Sequence, residues 1–287
     1  MGNVGLNHSD FRSLVRSYRR CIEESEIPPV VQKDICAAVW GSKGHLWDMY
    51  YILNFISNYL GPNSTILDLG CGYGFASALM TRGGYKVHGL DIHTDTHLQM
   101  SKKRGSPLSC LPTDNRKRLL PVWSVVQSIW DIDFTLYDGG RIPYPNELFD
   151  GVVTIGVLEH IPPEDLDVSL TEIERVLIPG GRFIVFYTPR RRSYAEWLAR
   201  LFRIGHHDNL FDDREFKKTL IDSGFEIEFM GVHDMLIRGG LGLQWFLNLI
   251  EPITRAFDRL LLRTPLRSFA HHIVCCARKE FDIQESG

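Results

Sequence analysis

The segment Ile66-Leu67-Asp68-Leu69-Gly70-Cys71-Gly72-Tyr73-Gly74 constrains this chain more than any other. An apolar run of the length of one buried strand ends in three alternating glycines and opens a helical pattern near 74–82. Glycine tolerates the left-handed backbone of tight turns and lets a ligand approach the main chain closely. The helix that follows presents unsatisfied N–H groups and the positive end of its dipole. Open α/β sheets bind small ligands at such places, beyond the carboxyl ends of their strands.

The pattern after Thr65 supports that architecture. Apolar runs at Ile66–Leu69, Lys86–Leu90, Phe134–Tyr137, Gly151–Ile155 and Arg182–Tyr187 alternate with helical stretches near 74–82, 95–104 and 164–177. Two more strands follow, at Glu226–Gly231 and Ile273–Ala277. Alternation of this kind predicts βαβ units, and hence a doubly wound, Rossmann-like, seven-stranded and mostly parallel α/β sheet. Residues 1–62 read as a helical N-terminal cap broken at Pro28-Pro29, and 63–287 as the ligand-binding domain. Trp47, Tyr50, Tyr51, Phe55 and Tyr59 recur at helical spacing, as a core stripe or as a cap over the site. Long segments at 105–130 and 234–270 exceed a minimal sheet, and the second reads as a C-terminal lid insertion.

The turn departs from the dinucleotide fingerprint. Its glycines run G-x-G-x-G, and Phe75 stands where G-x-G-x-x-G wants glycine. Asp68 precedes the glycines and suits a cationic ammonium better than a pyrophosphate. Seventeen residues after Gly74 comes Asp91, followed by Ile92, at the end of the second apolar run. A carboxylate there can take ribose hydroxyls, or serve as a helix cap or turn residue.

With these residues in place the sequence resembles the class I S-adenosylmethionine-dependent methyltransferases. It is most similar to the type 11 group, which includes ubiquinone- and menaquinone-biosynthesis methyltransferases. The resemblance continues through Asp138-Gly139-Gly140-Arg141-Ile142-Pro143-Tyr144-Pro145, Phe149-Asp150-Gly151-Val152, Leu158-Glu159-His160-Ile161 and Glu172–Gly181. It spans roughly residues 60–190 in the family's order. It implies S-adenosyl-L-methionine as cofactor. Asp68, Gly70, Cys71, Gly72 and Gly74 would hold its methionine end, and Asp91 with Ile92 its ribose. Asp138 would receive the adenine amino group and the Gly139 N–H a ring nitrogen. Asp131 and Asp133 lie close in sequence to Asp138 and compete for that role.

Transfer of a methyl group requires a nucleophile held in line and shielded from water, with a base if that nucleophile is a hydroxyl. His160 is a candidate general base or a packing histidine. His206 and His207 either line the acceptor pocket or sit on a solvated loop. The expected reaction is methylation of a small-molecule or lipid-like acceptor, with oxygen favoured over nitrogen or carbon. A non-catalytic cofactor-binding module and a nicotinamide-dependent oxidoreductase are the other readings.

Charge and cysteine usage bound the setting. A formal net charge of -3 argues against a protein built on a nucleic-acid backbone. Six cysteines without a C-x-x-C pair predict neither a disulfide framework nor a metal site, and fit a reducing cytoplasm. No apolar leader follows Met1. Arg255, Arg259 and Arg263 share one helix face. With the apolar run before them, residues 241–270 are either a peripheral membrane or lipid contact, or a solvated helix packed over the core.

Overall fold

The computed structural model describes residues 7–94, 111–202, 209–236 and 244–281. The chain forms two compact units, 1–139 with 239–249 and 140–238 with 250–287.

The first unit opens with α1 (His8–Glu23), α2 (Pro29–Ile35) and α3 (Lys43–Ile56). The Asn7 side chain caps α1 by accepting from the Ser9 and Asp10 N–H groups at 3.0 and 2.9 Å. Pro29 at the first turn of α2 needs no N–H there, so the Pro28-Pro29 break becomes a helix start. The aromatic stripe of α3 packs inside this unit. Trp47 stacks on His8 with ring centroids 4.7 Å apart, and Tyr50 meets Phe11 edge-on at 5.3 Å.

The α/β part of this unit runs β1 (Thr65–Leu69), α4 (Phe75–Arg82), β2 (Lys86–Ile92), α5 (Asn115–Arg118), α6 (Leu120–Gln127) and β3 (Ile132–Tyr137). β1 and β2 pair in parallel from Thr65↔Lys86 to Leu69↔Leu90, and β2 and β3 from Val87↔Ile132 to Ile92↔Tyr137. Ile66, Leu67 and Leu90 are fully buried, as a strand covered on both faces requires. The region 105–130 is helical over its described part. The helix expected at 95–104 lies outside the described residues.

The second unit contains β4 (Phe149–Ile155), α7 (Leu166–Val176), β5 (Leu177–Pro189), α8 (Tyr194–Phe202), α9 (Asp213–Asp222) and β6 (Phe225–His233). After α10 (Gln244–Leu249), which belongs to the first unit, come α11 (Glu251–Leu261) and β7 (His272–Lys279). β4 and β5 are parallel, whereas β7 runs antiparallel to both β5 and β6. The sheet has seven strands in the order β3-β2-β1-β4-β5-β7-β6. The strands extend a few residues beyond the apolar runs, because ladder hydrogen bonds continue where side chains turn polar. β5 even begins at Leu177 and takes in Pro179-Gly180-Gly181, with a register shift against β4 between Phe149 and Gly151.

One contact shows how tightly the first unit is packed. A Cβ on Gly89 would lie 2.3 Å from the Phe134 ring and 3.0 Å from Cys71 Sγ. Phe134 cannot give way, since it stacks on Trp123 at 4.9 Å with only 11° between the rings. Gly89→Ala should therefore cost about 1–3 kcal/mol by overpacking. Adding Phe134→Leu should recover part of that loss, which thermal denaturation of the single and double variants measures.

Candidate cofactor site

The turn after β1 is shaped by three left-handed residues, Gly70 (φ 75°), Gly72 (φ 51°) and Gly74 (φ 79°). Side-chain-bearing residues rarely adopt that backbone, so the glycines expected from the sequence are structurally obligatory. The end of β2 anchors the turn. The Leu90 carbonyl accepts from both Gly70 and Cys71 N–H, at 2.7 and 3.1 Å. The Asp91 carboxylate accepts from Gly72 N–H and from Ile92 N–H, each at 2.8 Å. The Asn115 amide donates to the same carboxylate at 3.4 Å, and a carboxylate accepts several hydrogen bonds at once, so the hydroxyls of a ligand can share it. A Cβ on Gly72 would meet nothing within 4 Å, which leaves room over the turn.

Asp68 lies beneath the turn, 2% exposed, and accepts from the Ser77 hydroxyl at 2.5 Å. Burial raises its carboxyl from the ordinary value to about 7; the Ser77 hydrogen bond opposes the rise, and the Asp91 charge adds to it. Burial also pushes the Cys71 thiol well up, so its side chain packs rather than reacts.

At the end of β3 the His93 N–H donates to the Tyr137 carbonyl at 2.9 Å. Asp138 and Gly139 follow, exposed, with Gly139 left-handed at φ 91° and Ile92 its nearest neighbour. Asp131 precedes β3, and Asp133 lies inside it facing His88 at 3.4 Å. A strand rises about 3.3 Å per residue. That rise places Asp138 past the carboxyl end of β3 and Asp131 and Asp133 at its amino end.

Four neighbours of the turn have no sequence signature of their own. Tyr18 of α1 donates its hydroxyl to the Tyr73 carbonyl at 2.7 Å, and the Tyr73 hydroxyl bonds Asp34 of α2. Trp123 of α6 donates its indole N–H to the Gly72 carbonyl at 2.8 Å. Asn115, buried at the start of α5, donates to the Ile92 carbonyl at 2.7 Å. Three come from helices remote in sequence, and no periodicity could have flagged a single hydrogen bond across 51 residues.

In the second unit His160 ends a short turn after β4, 36% exposed, with Nε2 3.9 Å from Glu159 Oε1. His206 and His207 lie outside the described residues. Beyond β5 and β6 a polar cluster gathers that the sequence reading passed over. His271 Nδ1 is 2.8 Å from Ser193 Oγ, and His272 Nδ1 is 3.2 Å from Asp234 Oδ2. Tyr187 and Asp234 there are left-handed non-glycine residues, at φ 61° and 59°. Such backbone persists where surroundings over-determine it. A cleft of about 420 Å³ lies between Ile161, Leu166, Phe211 and Phe216, with Arg191 and Arg200 on its wall.

The strand order, the antiparallel β7 and the glycine turn after β1 define a class I methyltransferase-type fold. Residues 67–185 match the family described as "Methyltransferase domain", so this stretch of the chain is similar to the methyltransferases of the type 11 group. It is 34% identical over 131 residues to a demethylmenaquinone methyltransferase of Streptomyces griseus subsp. griseus, covering 44% of this chain and 54% of that protein. It is 29% identical over 178 residues to a ubiquinone biosynthesis O-methyltransferase of Psychrobacter arcticus, covering 58% and 62%. The match thus spans just over half the length of these relatives. Among solved structures, phosphoethanolamine N-methyltransferase 2 of Haemonchus contortus in complex with S-adenosyl-L-methionine superposes with a TM-score of 0.55 at 16% identity, over 92% of this chain and 60% of that one.

The raised carboxyl of Asp68 has a consequence for stability. The unfolded chain releases this proton near pH 4 and the folded chain near 7, so folding stability falls as pH rises through that window. Asp68→Asn removes the buried charge. Its melting temperature should exceed that of the parent at pH 8, and the two should converge near pH 4.

Proposed function

We propose that this chain binds S-adenosyl-L-methionine on the first unit and transfers its methyl group to a small-molecule or lipid-like acceptor, with a hydroxyl oxygen favoured. The observation that carries this reading is the left-handed glycine turn anchored by Asp91 over the buried carboxylate of Asp68. The residues fit the cofactor. A buried carboxylate raised to about 7 suits an ammonium that restores its charge. The Asp91 carboxylate at the end of β2 suits ribose hydroxyls, and the open space over Gly72 admits a ligand against the backbone. Asp138 and the Gly139 N–H would meet the adenine edge. When bound, the cofactor supplies an electrophilic methyl carbon. The chain contributes orientation through the turn, and charge through Asp68.

His160 is the proposed base that takes the acceptor proton. Its place after the end of β4 supports this, because ligands of open α/β sheets lie beyond the carboxyl ends. The O-methyltransferase among the relatives supports an oxygen acceptor. The division into a cap at 1–62 and a catalytic domain at 63–287 belongs to the same proposal. So does a cytoplasmic setting, which the free thiols of the described cysteines support.

Calorimetric titration with S-adenosylmethionine and S-adenosylhomocysteine, with NAD as control, tests the reading. Binding of the two sulfur ligands and not NAD is expected. Affinity for S-adenosylmethionine should rise with pH through about 7 as Asp68 ionises. Asp91→Ala should weaken it by about 1–3 kcal/mol, the cost of hydrogen bonds to a charged group left unmade. Binding of NAD alone, or full affinity in Asp91→Ala, contradicts the assignment. With an acceptor in hand, His160→Ala should lower kcat while the cofactor Kd stays unchanged.

A further inference from the structure

α11 is amphipathic in the wrong sense for a helix packed on a core. The side chains it buries are carboxylates, Glu251 and Asp258, and those it exposes are, apart from Arg259, apolar. Ile253, Phe257 and Leu260 fall at i, i+4 and i+7 on one stripe, 70%, 51% and 58% exposed. The turn after it continues the pattern with Leu266 and Phe269, 50% and 51% exposed.

Hydrogen bonds lock this orientation. Asp258 Oδ1 accepts from the N–H groups of Met235 and Leu236 at 2.8 and 2.7 Å, just past the end of β6. Glu251 Oε2 accepts from Arg255 at 2.6 Å. The buried Arg190 guanidinium fixes the following turn by donating to the carbonyls of Ser268 and Ala270, at 3.1 and 3.0 Å. Rotating α11 to bury its stripe would strand Asp258 and two backbone donors without partners. α8 adds an exposed pair, Trp197 and Leu201, and is tied to the same corner by the Tyr194 hydroxyl, which donates to the Met235 carbonyl.

The charge around the stripe is of one sign. Arg259, Arg263 and Arg267 are exposed and have no carboxylate at ion-pair distance among the described residues. Between residues 252 and 269 the single acid is Asp258, which points inward. An outward apolar stripe flanked by arginines and free of exposed carboxylates complements a surface that is apolar below and anionic above. No helix of the described residues is long and apolar enough to cross a membrane, so contact would be at the surface.

We propose that the outward face of α11, with the turn 265–269, docks on an anionic phospholipid bilayer. This deepens the reading of a lipid-like acceptor and rests on it for its purpose, while its test is independent of methyl transfer. The full chain is sedimented with vesicles of phosphatidylcholine alone and of phosphatidylcholine with phosphatidylglycerol. Binding to the anionic vesicles alone, reversed by salt, is expected. Arg259→Glu/Arg263→Glu/Arg267→Glu should lower the partition coefficient at least about fivefold per arginine. Phe257→Ser/Leu260→Ser should also release the protein, whereas Lys217→Glu on α9 should not. All these positions are exposed, and circular dichroism confirms that each variant is folded.

Absence of binding to either vesicle, or undiminished binding by the arginine variant, overturns the proposal. So does a dimer in sedimentation equilibrium that Phe257→Ser/Leu260→Ser dissociates, since a second copy would then cover the stripe. S-adenosylmethionine titration of the same samples separates the two claims. A chain that binds vesicles but not the cofactor refutes the proposed function and leaves the docking surface standing.

Discussion

The turn from Gly70 to Gly74 holds a left-handed backbone at three of its five residues, and much of the first unit serves to keep it there. Its N–H groups are tied to β2 through the Leu90 carbonyl and Asp91. Its carbonyls are tied to helices from elsewhere in the chain, Tyr73 to Tyr18 and Gly72 to Trp123. Gly72 is thus held through both its N–H and its carbonyl. A ligand that reads the backbone at this turn meets groups already fixed, and little ordering cost falls on binding. The helices that carry Tyr18, Asp34 and Trp123, which a minimal sheet does without, are supports of this turn.

Asp68 shows what the proposed binding would cost in stability. A carboxylate sealed under the turn, with Ser77 as its hydrogen-bond donor among the described residues, is costly to ionise, and its proton is held up to about 7. The same burial that penalises the free charge strengthens its interaction with a cation brought alongside. Residues that disfavour the ligand-free state are expected where a site is shaped for its ligand.

Legibility in the sequence follows the range of the interactions. The β1 turn, the seven strands and the acid ending β2 are local patterns, and the described structure places each near its expected position. Asp131, Asp133 and Asp138 are alike in sequence, and only the extent of β3 puts Asp138 at its carboxyl end and the other two at its amino end. Trp123 and Tyr18 act through single hydrogen bonds across long stretches of chain, and Asn115 through its amide to Ile92 and Asp91, which no periodicity encodes. α11 misleads for another reason. Its apolar residues recur as in any packed helix, and only the N–H groups of Met235 and Leu236 show which face is held inward.

A crystal structure of the chain with S-adenosylhomocysteine tests the central claim most directly. The account predicts ligand density against the Gly70–Gly74 backbone, ribose hydroxyls on Asp91 and adenine beside Asp138 and Gly139, with the turn unmoved. Density elsewhere, or a ribose that makes no hydrogen bond to Asp91, would contradict it.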